Sequence, residues 1–227
     1  MKHIVILTGA GISAESGLKT FRDANGLWEG HNVIDIASPK GFLKNPELVL
    51  NFYNERRKQL MSVHPNSAHY ALSELQIDNK VTIITQNVDD LHERAGSKNI
   101  IHLHGELLKV RSVNDELAVQ EWKNDLILGD LCLKGHQLRP HIVWFGESVS
   151  LMPKAIEICK SADVLLIVGT SMQVYPAASL INYVKPKINI YYIDPSPAMT
   201  SNSQITVITE KATKGVPLAI RRIYERV

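Results

Sequence analysis

The run from His3 to Ala14, HIVILTGAGISA, constrains the fold of this chain more than any other stretch. His3 to Leu7 is a short, apolar, β-branched segment of the kind that suits a buried parallel strand. Gly9, Gly11 and Ala14 then match G-x-G-x-x-G/A, a turn whose backbone N–H groups close on a pyrophosphate at a helix N-terminus. In that pattern Gly9 allows the tight turn, Gly11 lets phosphate approach the backbone, and Ala14 lets a helix pack close to the strand. An acidic residue about twenty positions further on, ending a second strand, would complete a dinucleotide fingerprint. No acidic residue clearly ends a second strand there: Asp23 lies in the polar, glycine-punctuated loop from Gly17 to Trp28. The pattern reads as a phosphate-binding turn followed by a segment put to another use.

The remaining punctuation repeats the theme. Strands are expected at 81–85, 100–103, 162–168, 188–193 and 204–208, and helices at 46–61, 66–76, 116–126, 176–184 and 215–226, with a further helix starting after Gln86. Strands alternating with helices imply an α/β, Rossmann-like, mainly parallel sheet covered on both faces. Polar and small residues collect just past the strand ends, at Gly9, Gln86, His104, Gly169 and Asp194. Open parallel sheets bind ligands at that edge, so these turns should converge on one crevice. Segments 29–65 and 105–138 break the alternation and are expected to form a small inserted domain. Segments 1–28, 66–104 and 139–227 would then make the large one, with a cleft between the two.

Composition narrows the function. A net charge of +2, with Arg56-Arg57-Lys58 as the densest basic cluster, gives no reason to expect nucleic acid as a partner. The chain runs from Met1 directly into an apolar strand, so no leader peptide is expected, and no apolar run approaches a membrane span. Two cysteines, Cys132 and Cys159, suit a reducing compartment and make no disulfide framework. A cytoplasmic location is expected.

Gly9 to Ser13, Phe21-Arg22-Asp23, Thr85 to Asp89, Leu103-His104-Gly105, Leu138 to Pro140, Val143 to Glu147, Val168 to Ser171 and Lys211 to Thr213 occur in the order and spacing of the sirtuin family. The chain resembles that family over nearly its whole length. The resemblance implies NAD-dependent removal of acyl groups from lysine side chains, with nicotinamide released and the acyl group left on ADP-ribose. It further implies that His104 is the general base, a role suited to a side chain whose ordinary pKa is about 6.5. Asn87 and Asp89, with Gln86 beside them, would hold the nicotinamide ribose and carboxamide. Phe21 and Arg22 would sit on a loop covering the cofactor. Gly9, Ala10, Gly11, Ile12, Gly169, Thr170, Ser171 and Ala212 would contact its other parts, and Asp194 would bond the adenine ribose. Val143, Phe145, Gly146 and Glu147 would line the acyl-lysine tunnel. His102, one residue to the other side of Leu103, reads as an ordinary polar strand residue.

Two departures matter. Most family members carry two Cys-x-x-Cys pairs that bind zinc, but the corresponding positions here hold Ser112, Asp115, Leu131 and Lys134. No structural zinc is expected, and the small domain would rely on Leu117, Val119, Trp122, Leu126 and Leu128. The second concerns Tyr53 and Arg56, three apart on one helix face. They resemble the pair of the branch that prefers succinyl- and malonyl-lysine, and a phenol and a guanidinium can together hold a terminal carboxylate. An acetyl preference, a non-catalytic NAD or ADP-ribose binding module, and ADP-ribosyl transfer to protein are the alternatives.

Overall fold

The computed structural model describes residues 1–19 and 27–225. In chain order its strands are β1 His3–Thr8, β2 Leu27–Trp28, β3 His31–Asn32, β4 Lys80–Thr85, β5 Ile100–His102, β6 Gly105–Ser112, β7 Asp115–Glu121, β8 Leu138–Ile142, β9 Val164–Val168, β10 Asn189–Ile193 and β11 Ile205–Ile208. Its α-helices are α1 Val33–Ile36, α2 Pro39–Lys44, α3 Pro46–Ser62, α4 Ser67–Glu74, α5 Leu91–Arg94, α6 Met152–Ser161 and α7 Ala212–Glu225.

Six strands form one parallel sheet in the order β11-β10-β9-β1-β4-β5. The apolar run at the N-terminus becomes its centre: every residue of β1 is buried, with β4 on one side and β9 on the other. Ile4 and Ile6 face one apolar layer, under α4 and α7, while Val5 and Leu7 face the other, under α6. This is the two-sided burial that a parallel strand requires. Strand order reverses at β1, so the chain opens a crevice where the carboxyl ends of β1 and β9 meet.

A second sheet, antiparallel with the order β7-β6-β8, lies beyond the parallel one. With α1, α2 and α3 it encloses a separate apolar core of Val33, Ile36, Val49, Leu50, Leu107, Val110, Leu126 and Trp144, among others. β8 pairs within this small sheet, so the sheet runs past the boundary expected at 138/139. The helix expected over 116–126 is instead β7, an edge strand turned back on β6 through Val113 and Asn114. Hydrogen bonding to β6 outweighs a local pattern of long side chains that is equally compatible with a helix. On this outer strand Leu117 and Val119 are exposed, as is Leu128 beyond it, so of the five residues expected to hold this part together only Leu126 and Trp122 pack inside. The helix expected at 176–184 is a 3₁₀ segment over 177–183, and the helix expected after Gln86 is the single turn α5.

Polar bonds do part of the work assigned to apolar packing. Asn54 on α3 donates to the Leu126 carbonyl (3.0 Å) and accepts from the Leu126 N–H (2.8 Å). The buried Arg57 guanidinium donates to Asn54 (2.8 Å) and to the carbonyls of Leu107 and Asn124 (both 3.2 Å). At the positions of the missing thiolates, Lys134 pairs with Asp115 (3.1 Å) and Cys132 Sγ donates to Ser112 (3.5 Å). No group of three or more His, Cys, Asp or Glu side chains gathers among the described residues. No described helix is long and apolar enough to cross a membrane.

Asn54→Leu leaves both Leu126 backbone groups and a buried guanidinium short of partners. A loss of about 3 kcal/mol in urea unfolding is expected. A loss below about 1 kcal/mol would show that this knot does not support the small unit.

Candidate functional site

The crevice begins with two strand-end turns pressed together. Gly9 N–H donates to the Val168 carbonyl (3.0 Å) and Gly11 N–H to the Gly169 carbonyl (2.8 Å). A Cβ on Gly11 would lie 2.6 Å from Gly169 Cα, and one on Gly9 would lie 2.7 Å from Thr170 Cβ. Gly9 is extended, with φ −129° and ψ −177°, so it is not glycine for the sake of a left-handed turn. Both glycines are there because a second backbone passes against them. The chain beyond Gly9 does not form the long helix of a dinucleotide-binding turn. It makes two single 3₁₀ turns, Ala10–Ile12 and Ala14–Ser16, too short to supply a substantial helix dipole.

These turns line one continuous cleft of about 320 Å³. Gly9, Ala10, Gly11, Gly169, Thr170 and Ser171 form one end, Gln86, Asn87, Asp89 and His104 the middle, and Tyr53, Arg56, Val143, Phe145, Gly146 and Glu147 the other end. Ile12, Asp194 and Ala212 do not belong to it. Ile12 and Ala212 are buried in the core over the parallel sheet. Asp194 is fully buried, and its Oδ1 accepts the Ser196 N–H (2.8 Å), which shapes the turn after β10. Phe21 and Arg22 lie outside the described residues.

The central polar groups are tightly held. Asn87 donates from its side chain to Ser13 Oγ (3.2 Å), and Ser13 donates to Asp89 Oδ2 (2.9 Å). Asp89 Oδ1 accepts the Leu91 N–H (3.2 Å) at the start of α5. The Asn87 N–H is fixed in turn by Thr85 Oγ1 (3.0 Å), which also accepts from Thr8 Oγ1 on the neighbouring strand (2.8 Å). Gln86 reaches across to Thr170 Oγ1 (3.1 Å), tying the β4 turn to the β9 turn.

Two histidines flank Leu103, as expected, but they have different work. His104 Nδ1 lies 3.0 Å from the Gln86 carbonyl. A carbonyl only accepts, so Nδ1 carries the proton and Nε2 keeps its lone pair, with no bond among the described residues. Burial lowers the His104 pKa, against the smaller opposing effect of that carbonyl, so the ring is neutral at neutral pH. His102 instead sits between the Asn87 carbonyl (3.1 Å) and Glu93 (2.7 Å). Burial disfavours its charge, but Glu93 and Asn87 outweigh burial and raise its pKa. His102 therefore supports the Asn87 backbone from behind. Ser13, assigned no role of its own from sequence although it ends the glycine motif, is the hub joining Asn87 to Asp89.

At the far end Tyr53 is fully buried and accepts the indole N–H of Trp144 (3.0 Å). Glu147 lines the cleft, but its carboxylate is engaged by Arg139 (2.5 Å), Arg111 (3.1 Å) and the Trp144 N–H (2.8 Å). Burial opposes its charge, yet these partners hold its pKa below the ordinary carboxylate range. Arg139 also lies 3.3 Å over the Trp144 ring. Glu147 thus buttresses the wall instead of offering a free carboxylate.

Together these features define an α/β protein of Rossmann-like architecture, with a neutral histidine and a buried carboxylate set in one strand-end cleft. Comparison with known proteins gives the family. The Sir2 family model matches residues 9–176, and the chain belongs to that family. An NAD-dependent protein deacylase of Helicobacter pylori (strain ATCC 700392 / 26695) is 63% identical over 195 residues, covering 86% of this chain and 85% of its own. One from Bacteroides thetaiotaomicron is 51% identical over 225 residues, covering 95% of both. A solved Sir2 homologue in complex with NAD superposes with a TM-score of 0.87 at 39% identity, covering 99% of this chain and 90% of that chain.

Burial pushes the Asp89 carboxyl up to about 6, against the opposing bonds from Ser13 and Leu91. The folded pKa lies above the free-chain value, so ionising Asp89 works against folding. The penalty grows as the pH rises from 3.8 to about 6 and is complete above that. Asp89→Asn keeps the shape without the charge. It is expected to stabilise the protein by roughly 2–3 kcal/mol near pH 7.5 and to have little effect near pH 4. A lower melting temperature near pH 7.5 would contradict this account.

Proposed function

We propose that this chain, an NAD-dependent protein deacylase of the Sir2 family, removes acyl groups from protein lysine side chains with a preference for succinyl- and malonyl-lysine. The observation that carries the reading is the placement of a neutral His104, with its Nε2 lone pair open, in the same cleft as Asn87 and Asp89 and between the glycine-lined end and the Tyr53/Arg56 end.

The glycine-lined end suits a dinucleotide. Gly9, Ala10, Gly11 and Gly169 leave the backbone uncovered by large side chains, and Thr170 and Ser171 add hydroxyls. When bound, NAD supplies a ribose carbon bearing nicotinamide as leaving group, and its ribose becomes the acceptor of the acyl group. Each nearby side chain then has a task its geometry supports. Asn87 and Asp89, joined through Ser13, would position the nicotinamide ribose and carboxamide without needing to reorient. His104 Nε2 would take a proton from a ribose hydroxyl, and the Gln86 carbonyl would steady the imidazolium through the Nδ1 proton. Val143, Phe145 and Gly146 would line the path of the lysine chain, over a wall braced by Glu147.

The acyl preference rests on Tyr53 and Arg56. The Tyr53 hydroxyl accepts from Trp144, and its own proton has no acceptor among the described residues. Arg56 lines the cleft beside it, and its Nε is buried without a partner among the described residues. Donors left over at this end favour an acyl group that ends in a carboxylate. The small unit is proposed to need no zinc, so a chelator should leave its melting temperature unchanged.

His104→Ala is expected to lower turnover by about 10²–10⁴-fold while NAD still binds in a calorimetric titration. Turnover close to that of the unaltered enzyme would remove the assigned base. In the unaltered enzyme the acid limb of the rate profile should fall below pH 6.5, because burial lowers the His104 pKa. For Arg56→Met a selective loss on succinyl peptide is expected, and an equal loss on acetyl peptide would reduce Arg56 to a structural role.

A further inference from the structure

β2 and β3 form a hairpin in which Leu27 faces Asn32 and Trp28 faces His31, leaving Glu29 and Gly30 as a two-residue turn. Both turn residues have positive φ, 52° at Glu29 and 81° at Gly30. Such turns select Asn-Gly or Asp-Gly, because a short polar side chain tolerates the left-handed first position. Glutamate is poorly suited to it. Its presence asks for a reason outside the turn.

The reason is in what the side chain touches. Glu29 Oε1 lies 2.6 Å from Arg56 Nη1, and Oε2 lies 2.8 Å from Lys19 Nζ. The Glu29 and Arg56 side chains are only 14% and 17% exposed, whereas Lys19 is largely in solvent. Burial opposes the Glu29 charge, but the two cations prevail and hold its carboxyl below the ordinary range. Arg56 is a shared wall. It lines the main cleft with Tyr53, and on its other side it lines a hollow of about 230 Å³ together with Glu29, His31, Asn51, Phe52 and Glu55. Glu29 lines the hollow but not the main cleft, so it approaches the guanidinium from behind. One Arg56 nitrogen is thus already paired, while its Nε has no partner among the described residues.

We propose that Glu29 is a specificity-setting counter-ion of the acyl pocket: it part-neutralises Arg56 from the rear and thereby lets the pocket accept uncharged acyl groups beside carboxylate-bearing ones. The inference rests on the reading of Tyr53 and Arg56 as the site of an acyl carboxylate. With Glu29 present, an acetyl group leaves a guanidinium that is still ion-paired, and a succinyl carboxylate meets one whose charge is partly offset. With Glu29 neutral, the uncompensated cation should hold a carboxylate more tightly and penalise an acyl group that cannot pair with it. Charge is what acts, so the effect should shrink as salt is raised.

The test compares kcat/KM on matched acetyl- and succinyl-lysine peptides for the unaltered enzyme, Glu29→Gln, Glu29→Asn and Arg56→Met. Asparagine suits the left-handed position, so it removes the charge while relieving the turn and guards against misfolding of the glutamine variant. Both neutral variants are expected to raise the succinyl-to-acetyl ratio at least fivefold, chiefly through a lower KM for the succinyl peptide, and the rise should diminish in high salt. An unchanged or lower ratio in both, with Arg56→Met still selectively impairing succinyl turnover, would overturn the counter-ion role alone. If Arg56→Met leaves the ratio unchanged, the acyl-carboxylate reading falls and this inference falls with it.

Discussion

The structure depends on the contact between the β1 and β9 turns, where Gly9 and Gly11 lie against Gly169 and Thr170 with no room for a side chain between them. Close approach does two things at once. It finishes the hydrogen bonding of two buried strands, with Gly9 and Gly11 donating to the carbonyls of Val168 and Gly169. It also leaves a stretch of bare backbone at the point where the strand order reverses, which is where a doubly wound sheet opens. A methyl group at Gly11 would meet backbone and not a flexible side chain, so the two turns would have to part. The β4 turn is then locked to the same edge by the Gln86 to Thr170 bond.

Around that edge the chain accepts costs that a purely structural interior would avoid. Asp89 is buried with two hydrogen bonds and no cation bonded to it among the described residues, and its raised pKa records the cost of keeping it charged. His104 is half-buried, and its one bond fixes the tautomer that leaves the outward nitrogen basic. Glu147 shows the opposite solution, with two guanidinium groups holding a single carboxylate beneath Trp144. The difference separates a carboxylate held by neutral donors from one held by two cations. Polar bracing also extends into the small unit, where Asn54 and Arg57 hold the Leu126 segment against α3.

Legibility from sequence followed the length scale of the forces involved. The parallel strands were readable because burial on both faces leaves a run of apolar residues such as His3 to Leu7 or Val164 to Val168. His104, Asn87 and Asp89 were readable as a set because their order and spacing resembled a family. The helix expected at 116–126 failed because a hairpin partner, invisible in that segment, decides between strand and helix. Asp194 stands just past a strand end, as expected, and its Oδ1 accepts the Ser196 N–H in the turn that follows. Ser13 was passed over because a serine beside a glycine motif looks like a turn residue until Asn87 and Asp89 are placed on either side of it. Glu29 was equally hidden, since its φ and its partners belong to the folded chain alone.

The most direct test of the account is the stoichiometry of products from a succinyl-lysine peptide and NAD, read by mass spectrometry in a single incubation. One nicotinamide and one succinyl-bearing ADP-ribose are expected for each lysine freed. Free succinate formed with NAD unchanged, or ADP-ribose attached to protein with the peptide still acylated, would contradict it.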